Sequence, residues 1–296
     1  MNEEIDSKFY DEIVSFIKKS TTIPNKTKII YQYTNIDALF SGVVVKEPKL
    51  NEEICLWASN QMYLNDPNET VTGQKFFEEI VYEYFVEKDN NKNKSNSYEG
   101  TDCFITSFSA TKDSLPMWSM YGKNGAGIAL GFDKNIIHKG SNDALYKCIY
   151  LDKVTKNKIA SLCKKYKGKK IDEETFIILF IAIVLATLFN VQDKEEQSEL
   201  KPIAQFMLYA KEPAYKYEDE VRLLIQPNEN LAIKYRCQNN LIIPYIENFF
   251  PKKALKEIWV GPTNDMERTI KSLETYLNYM GFSDVEIKKS EVPYRI

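Results

Sequence analysis

Tyr217-Glu218-Asp219-Glu220-Val221-Arg222-Leu223-Leu224-Ile225 decides how this chain is read. The stretch follows a helical pattern over about 154–211 and returns the chain to β structure. As a strand over 217–225, it lines Glu218, Glu220 and Arg222 along one face and Asp219, Val221 and Leu223 along the other. Two carboxylates and a guanidinium on a strand that runs into Leu-Leu-Ile are costly to bury without purpose. Like charges held together raise one carboxyl's pKa towards catalytic usefulness. The alternative is an ordinary Arg-Glu pair at an exposed strand end.

Working outward, strands are expected at 29–33, 43–45, 54–59, 103–108, 127–132, 145–151, 241–246 and 257–260, with a last short one near 285–288. Helices are expected at 4–17, 74–87, near 114–121 and at about 264–280. Residues 88–100 hold almost no apolar side chains and read as a loop. The order of mixed strands, helical block and strands again lacks regular β-α alternation with a Gly-rich first turn. It indicates an α+β fold, a single domain with a helical insertion at about 154–211, rather than a doubly wound sheet. The uncharged run at 176–189 would span roughly 21 Å as a helix, short of the ~30 Å hydrocarbon core, so it reads as buried rather than membrane-spanning. A homo-oligomer interface would hide it equally well.

Composition narrows the chemistry. The 296 residues are 44% apolar and carry a formal charge of -3, so nothing electrostatic calls for nucleic acid as main partner. There are five cysteines without a CxxC pair and one histidine, His138. That argues against a Cys/His zinc site and against any histidine mechanism not running through His138. The acidic opening MNEEIDSKFYDE differs from the basic-then-apolar pattern of a signal peptide. With unpaired thiols, it gives the expectation of a cytoplasmic protein. Of 39 basic residues only Arg222, Arg236, Arg268 and Arg295 are arginine, which marks each as a candidate planar, bidentate donor.

Three further clusters could carry chemistry. Tyr31 and Tyr33 share a strand face and Gln32 points the other way. Leu56-Trp57-Ala58-Ser59 leads into the turn Leu64-Asn65-Asp66-Pro67 with Glu69 beyond. Ser107-Phe108-Ser109, then Met117-Trp118-Ser119-Met120-Tyr121-Gly122, then Gly125 and Gly127 suit a lined pocket with close backbone approach to a ligand.

In this order, these motifs and Glu257-Ile258-Trp259-Val260-Gly261 resemble the bacterial domain-of-unknown-function 2971 (DUF2971) family over about 29–261. That family is distantly similar to ADP-ribosyltransferases, and some members sit beside anti-phage or toxin genes. The resemblance implies a mixed-sheet, ADP-ribosyltransferase-like core with NAD as substrate. It implies that Gln32, Tyr33 and Thr34 hold a ribose, and that Ser107 to Ser109 stand where nicotinamide is held. Glu218 or Glu220 supplies the catalytic carboxylate, with Arg222 beside a phosphate or carboxylate. Ser59, Asn65, Asp66, Trp118 and Tyr121 complete the implied nucleotide site. Gln32 stands where the transferases usually carry histidine.

Three readings follow. The first is an enzyme that breaks the nicotinamide-ribose bond and passes ADP-ribose to a macromolecule or to water. It needs a carboxylate near the developing oxocarbenium ion and no histidine. The second, favoured by Gln32, is a non-catalytic nucleotide-binding or sensing module of a defence system. The third is a nuclease or hydrolase holding a divalent metal on Asp66, Glu69, Glu218 and Glu220. Glu220→Gln is expected to abolish activity in the first without unfolding the protein.

Overall fold

The computed structural model describes residues 2–44, 52–66, 72–73, 75–76, 103–140, 145–166, 208–225, 227, 231–238, 240–263 and 265–294. The expected loop at 88–100, most of the helix at 74–87, Glu69 and the apolar run at 176–189 lie outside them. The chain divides into two compact units, one of Met1–Thr22, Leu64–Asp102 and Lys147–Tyr215, the other of Ile23–Tyr63, Cys103–Tyr146 and Lys216–Ile296.

In the first unit, α1 (Asn2–Thr21) and α5 (Lys153–Tyr166) are amphipathic. Ile13, Val14 and Ile17 are buried on one, and Ile159 and Cys163 on the other, at helical spacing. Lys165 pairs with Glu12 at 2.5 Å, a solvated contact of little energetic weight. The helical pattern does not run through to 211: Ala210–Lys211 (β7) pairs in parallel with Ile149–Tyr150 (β6).

The second unit is built on a ten-stranded mixed sheet, which with its helices makes an α+β fold. Its strands are β1 (Ile29–Thr34), β2 (Glu53–Asn60), β3 (Phe104–Ser109), β4 (Ile128–Asp133), β5 (Leu145–Lys147), β8 (Glu220–Ile225), β9 (Ile233–Gln238), β10 (Leu241–Pro251), β11 (Leu255–Val260) and β12 (Glu286–Lys289). They run in the order β12-β11-β4-β1-β3-β2-β10-β9, with β8 on β3 and β5 on β8. Only β11 and β12 are parallel among the neighbours whose register is given. The expected strand at 43–45 is instead a wide helical turn, Leu39–Val43, which follows the short helix α2 (Ile36–Ala38) and precedes a bridge from Val44 to Ile54. β9 was not expected; it pairs with β10 across a turn in which Asn240 has φ 62°.

One face of this sheet is apolar. Ile30, Phe108, Leu130, Phe132, Val221, Leu223, Ile258 and Val260 are buried there in one cluster with Leu273 and Leu277 of α6 (Met266–Tyr279), one turn apart. Asp265 caps that helix by accepting from the Arg268 amide. α4 (Lys134–Gly140) adds Ile137. The other face, set by alternation, carries Tyr31, Tyr33, Ser107, Ser109, Glu220 and Arg222.

The sheet opens at β3. β8 pairs along its whole length, so β1 and β2 must share the remaining edge. β1 meets it at Ser109, and β2 at Ile105 and Phe104. Between those points β1 and β2 diverge, and Thr106 Oγ1 donates to the Trp57 carbonyl at 3.3 Å instead of a ladder bond.

Cys55, Cys103, Cys148 and Cys163 are buried and Cys237, on the edge strand, is exposed. Burial pushes the Cys55 thiol up to about 11 and the Cys103 thiol up to about 12. A disulfide reagent on the native protein is expected to titrate one thiol rapidly and the other four only in denaturant. Two or more fast thiols would show that the buried set is open to solvent.

Candidate functional site

The decisive stretch does not start as a strand. Pro213–Glu218 form a 3₁₀ turn, Asp219 takes φ 42°, and β8 begins at Glu220. A left-handed aspartate costs about 1–3 kcal/mol unless its surroundings hold it. Here the Ala110 amide donates to the Asp219 carbonyl at 2.9 Å and Thr111 Oγ1 donates to Asp219 Oδ2 at 3.3 Å. The expected face of Glu218, Glu220 and Arg222 is thereby divided. Glu220 and Arg222 keep their strand alternation, and Glu218 reaches the same neighbourhood from the turn.

Glu220 and Arg222 form a buried bidentate pair. Arg222 Nε donates to Glu220 Oε1 at 3.0 Å and Arg222 Nη2 donates to Oε2 at 2.9 Å. Arg222 is 0% exposed and Glu220 4%. Such a pair survives only because each charge answers the other. Beside it, Ser109 lies opposite Glu220 and Ser107 opposite Arg222. Ser109 Oγ donates to the Glu218 carbonyl at 2.6 Å and accepts from the Thr111 amide at 3.1 Å, fixing the turn to β3. The Glu218 carboxylate, also buried, accepts from the half-buried Tyr121 hydroxyl. Burial, and then the bond to Glu218, push the Tyr121 phenol well above its ordinary value.

Tyr121 follows α3 (Leu115–Met120), whose Trp118 is fully buried with its ring edge-on to Tyr33, centroids 4.9 Å apart at 77°. Trp118 Nε1 donates to Asp113 Oδ1 at 2.8 Å, and the Tyr33 hydroxyl accepts from the Ser114 amide at 3.0 Å. Trp118 and Tyr33 are thus the rigid floor on which Tyr121 is carried. The glycines of this segment let the chain approach itself closely. A Cβ on Gly127 would lie 2.2 Å from the Thr34 carbonyl oxygen, and one on Gly261 2.2 Å from the Gly125 carbonyl oxygen.

Further along the same face, Glu257 accepts from Tyr31 Oη at 2.8 Å, from Trp259 Nε1 at 2.8 Å and from Lys288 Nζ at 2.5 Å. Gly131, between Tyr31 and Glu257, leaves room for both; a Cβ there would lie 2.7 Å from the Glu257 side chain. Burial alone would raise the Glu257 pKa, but the bonds from Lys288, Trp259 and Tyr31 outweigh it and hold the carboxyl below its usual range. A depressed carboxyl contributes stability that is full above its unfolded pKa, about 4.3, and is lost as pH falls through the lower folded value. The stability difference between wild type and Glu257→Gln, from urea titrations between pH 7 and pH 3, is therefore expected to be constant at the upper end and to shrink below about pH 4.3. A difference that grows on acidification would reverse the assigned sign.

Of the residues expected to form a site, Tyr33, Ser107, Ser109, Trp118, Tyr121, Glu218, Glu220 and Arg222 come together. Gln32 and Thr34 lie on the apolar side of β1 with Ile30. Asn65 and Asp66 belong to the other unit. Ser59 stands at the far side of the sheet opening and accepts from Arg236 Nη2 at 2.8 Å. Sequence reading missed the roles of Asp113, Glu257, Lys288 and Tyr245. Arg236 was marked only by being one of four arginines, since β9 went unread. The pair Asn239-Asn240 flanked by alternating Tyr235, Cys237 and Ile242 was the available hairpin signal. Among the described residues no three His, Cys, Asp or Glu side chains gather as metal ligands, and no helix is long and apolar enough to cross a membrane.

The class so defined is a mixed-sheet α+β protein with a buried acid–base constellation at a strand opening. Residues 117–223 match the family described as "Protein of unknown function (DUF2971)", which supports the family resemblance and covers α3 through most of β8. No curated protein and no solved structure matches the chain.

Proposed function

We propose that the second unit is an ADP-ribosyltransferase-like core that binds NAD on the polar face of its sheet and breaks the nicotinamide–ribose bond. The supporting observation is the convergence of Glu218, Tyr121 and Ser109 on a strained turn beside the place where β1 and β2 part. Glu218 is the proposed carboxylate. Both oxygens of Glu220 are engaged by Arg222, which gives that pair a positioning role. In the reaction the C–N glycosidic bond breaks and its electron pair leaves with the cationic ring, giving neutral nicotinamide. Positive charge develops on the ribose, and a carboxylate close by stabilises charge that the ground state lacks. An acceptor hydroxyl or water then bonds to the ribose carbon and gives up its proton. In this role the protein is a cytoplasmic defence or toxin effector that spends NAD or marks a macromolecule.

A second reading, a non-catalytic nucleotide-sensing module, is favoured by the burial of both glutamates and by Gln32 where the transferases carry histidine. Mass spectrometry of NAD with purified protein, with and without bacterial lysate, separates the two. Nicotinamide release supports the enzyme. Intact NAD with calorimetric binding of a nucleotide supports the sensor. Intact NAD with no nucleotide bound removes both.

A further inference from the structure

Arg236 projects from edge strand β9 onto the rings of Trp57 in β2 and Tyr245 in β10. Its guanidinium carbon lies 5.3 Å and 5.6 Å from the two ring centroids, and the rings are 4.7 Å apart at 38°. Gly42 leaves room for the indole, since a Cβ there would already be 3.2 Å from it. Among the described residues the guanidinium makes one hydrogen bond, Nη2 to Ser59 Oγ, and its Nε is buried without a partner. No carboxylate among the described residues answers the charge: the neighbouring acid on this face, Glu247, is paired with Lys234 at 2.6 Å. Burial lowers the arginine's pKa from its ordinary value, as expected for a cation short of water and of a counter-charge.

A buried cationic donor without an acceptor is costly, and aromatic stacking restores only part of that cost. The site has what would complete it. Ser59 Oγ accepts from Arg236, so its own proton is available to donate. The hydroxyl and the guanidinium are then donors from two different side chains, which suits an anion with several acceptor oxygens such as phosphate. Arg236 is partly exposed on an edge strand whose other residues are all exposed, so the guanidinium lies at the sheet edge.

We propose that Arg236 and Ser59 form a phosphate-binding site on the rigid platform of Trp57 and Tyr245. Ser59 pairs with Ile105 in β3, four residues from Ser109, which puts the two regions roughly 13 Å apart along one sheet face. That span suits the phosphate of a nucleotide whose other end reaches Glu218. The site stands on its own geometry, however, and does not require NAD cleavage.

The test is calorimetric titration of the full chain with inorganic phosphate, ADP and adenosine, with tryptophan fluorescence recorded alongside. Wild type, Arg236→Gln, Arg236→Lys, Ser59→Ala and Trp57→Phe are compared, each first shown to melt as wild type. Phosphate and ADP are expected to bind and to perturb an emission that Trp57→Phe removes. Arg236→Gln is expected to weaken both by about tenfold or more, with Arg236→Lys and Ser59→Ala between. Tighter binding of ADP than of phosphate assigns the anion to a nucleotide, and equal binding assigns it to free phosphate. Equal binding by wild type and Arg236→Gln, or binding of neither phosphate nor ADP, overturns the proposal, whatever the NAD assay shows.

Discussion

Glu218→Gln is expected to lower nicotinamide release from NAD by about 10²–10³-fold, the cost of removing one preorganised group from a developing charge. The substitution is nearly isosteric. The amide oxygen still accepts from Tyr121, and the backbone carbonyl still accepts from Ser109. The variant should therefore melt with wild type and bind nucleotide with unchanged affinity, so that the loss falls in kcat. Glu220→Gln behaves differently. It removes the negative member of a pair in which both carboxylate oxygens take guanidinium protons, and the Arg222 cation remains with 0% exposure. A fall in activity there comes with a fall in stability, contrary to the expectation drawn from the sequence alone. Single-turnover rates with matched melting curves separate the two roles. Full turnover by Glu218→Gln, with loss confined to Glu220→Gln, would return the carboxylate's role to Glu220.

Arg222→Met is expected to cost about 3–5 kcal/mol of unfolding free energy, the range for stranding one member of a buried ion pair. The Glu220 carboxylate would keep its burial and lose two charge-assisted hydrogen bonds of 2.9 Å and 3.0 Å. The double variant Glu220→Leu/Arg222→Met should cost clearly less than the sum of its single substitutions, because neither charge is then left alone. Urea unfolding at pH 7 measures all three. A cost for Arg222→Met of under about 1 kcal/mol would mean that the pair is solvated in solution and behaves as a surface contact.

Local spacing was enough for much of this sheet. Alternation placed Tyr31 and Tyr33 on one face of β1 and put Glu220 with Arg222 two residues apart on β8, where they pair. The apolar runs of β3, β4 and β11 and the 3.6-residue period of α6 were equally legible. Periodicity records which way a side chain points, and carries nothing about what it meets. Nothing in the order Glu-Asp-Glu announces that Asp219 turns left-handed and takes Glu218 out of the strand, because contacts from Ala110 and Thr111 hold that conformation. The sequence likewise suggested that Gly127 makes room for a ligand, whereas its lost Cβ admits the backbone of Thr34. Tyr31 meets Glu257 across 226 residues and Arg236 meets Ser59 across 177, partners chosen by strand order. The chain by itself determined faces and elements. Which buried charges are answered, and which cation has no anion among the described residues, was decided only when distant strands were brought side by side.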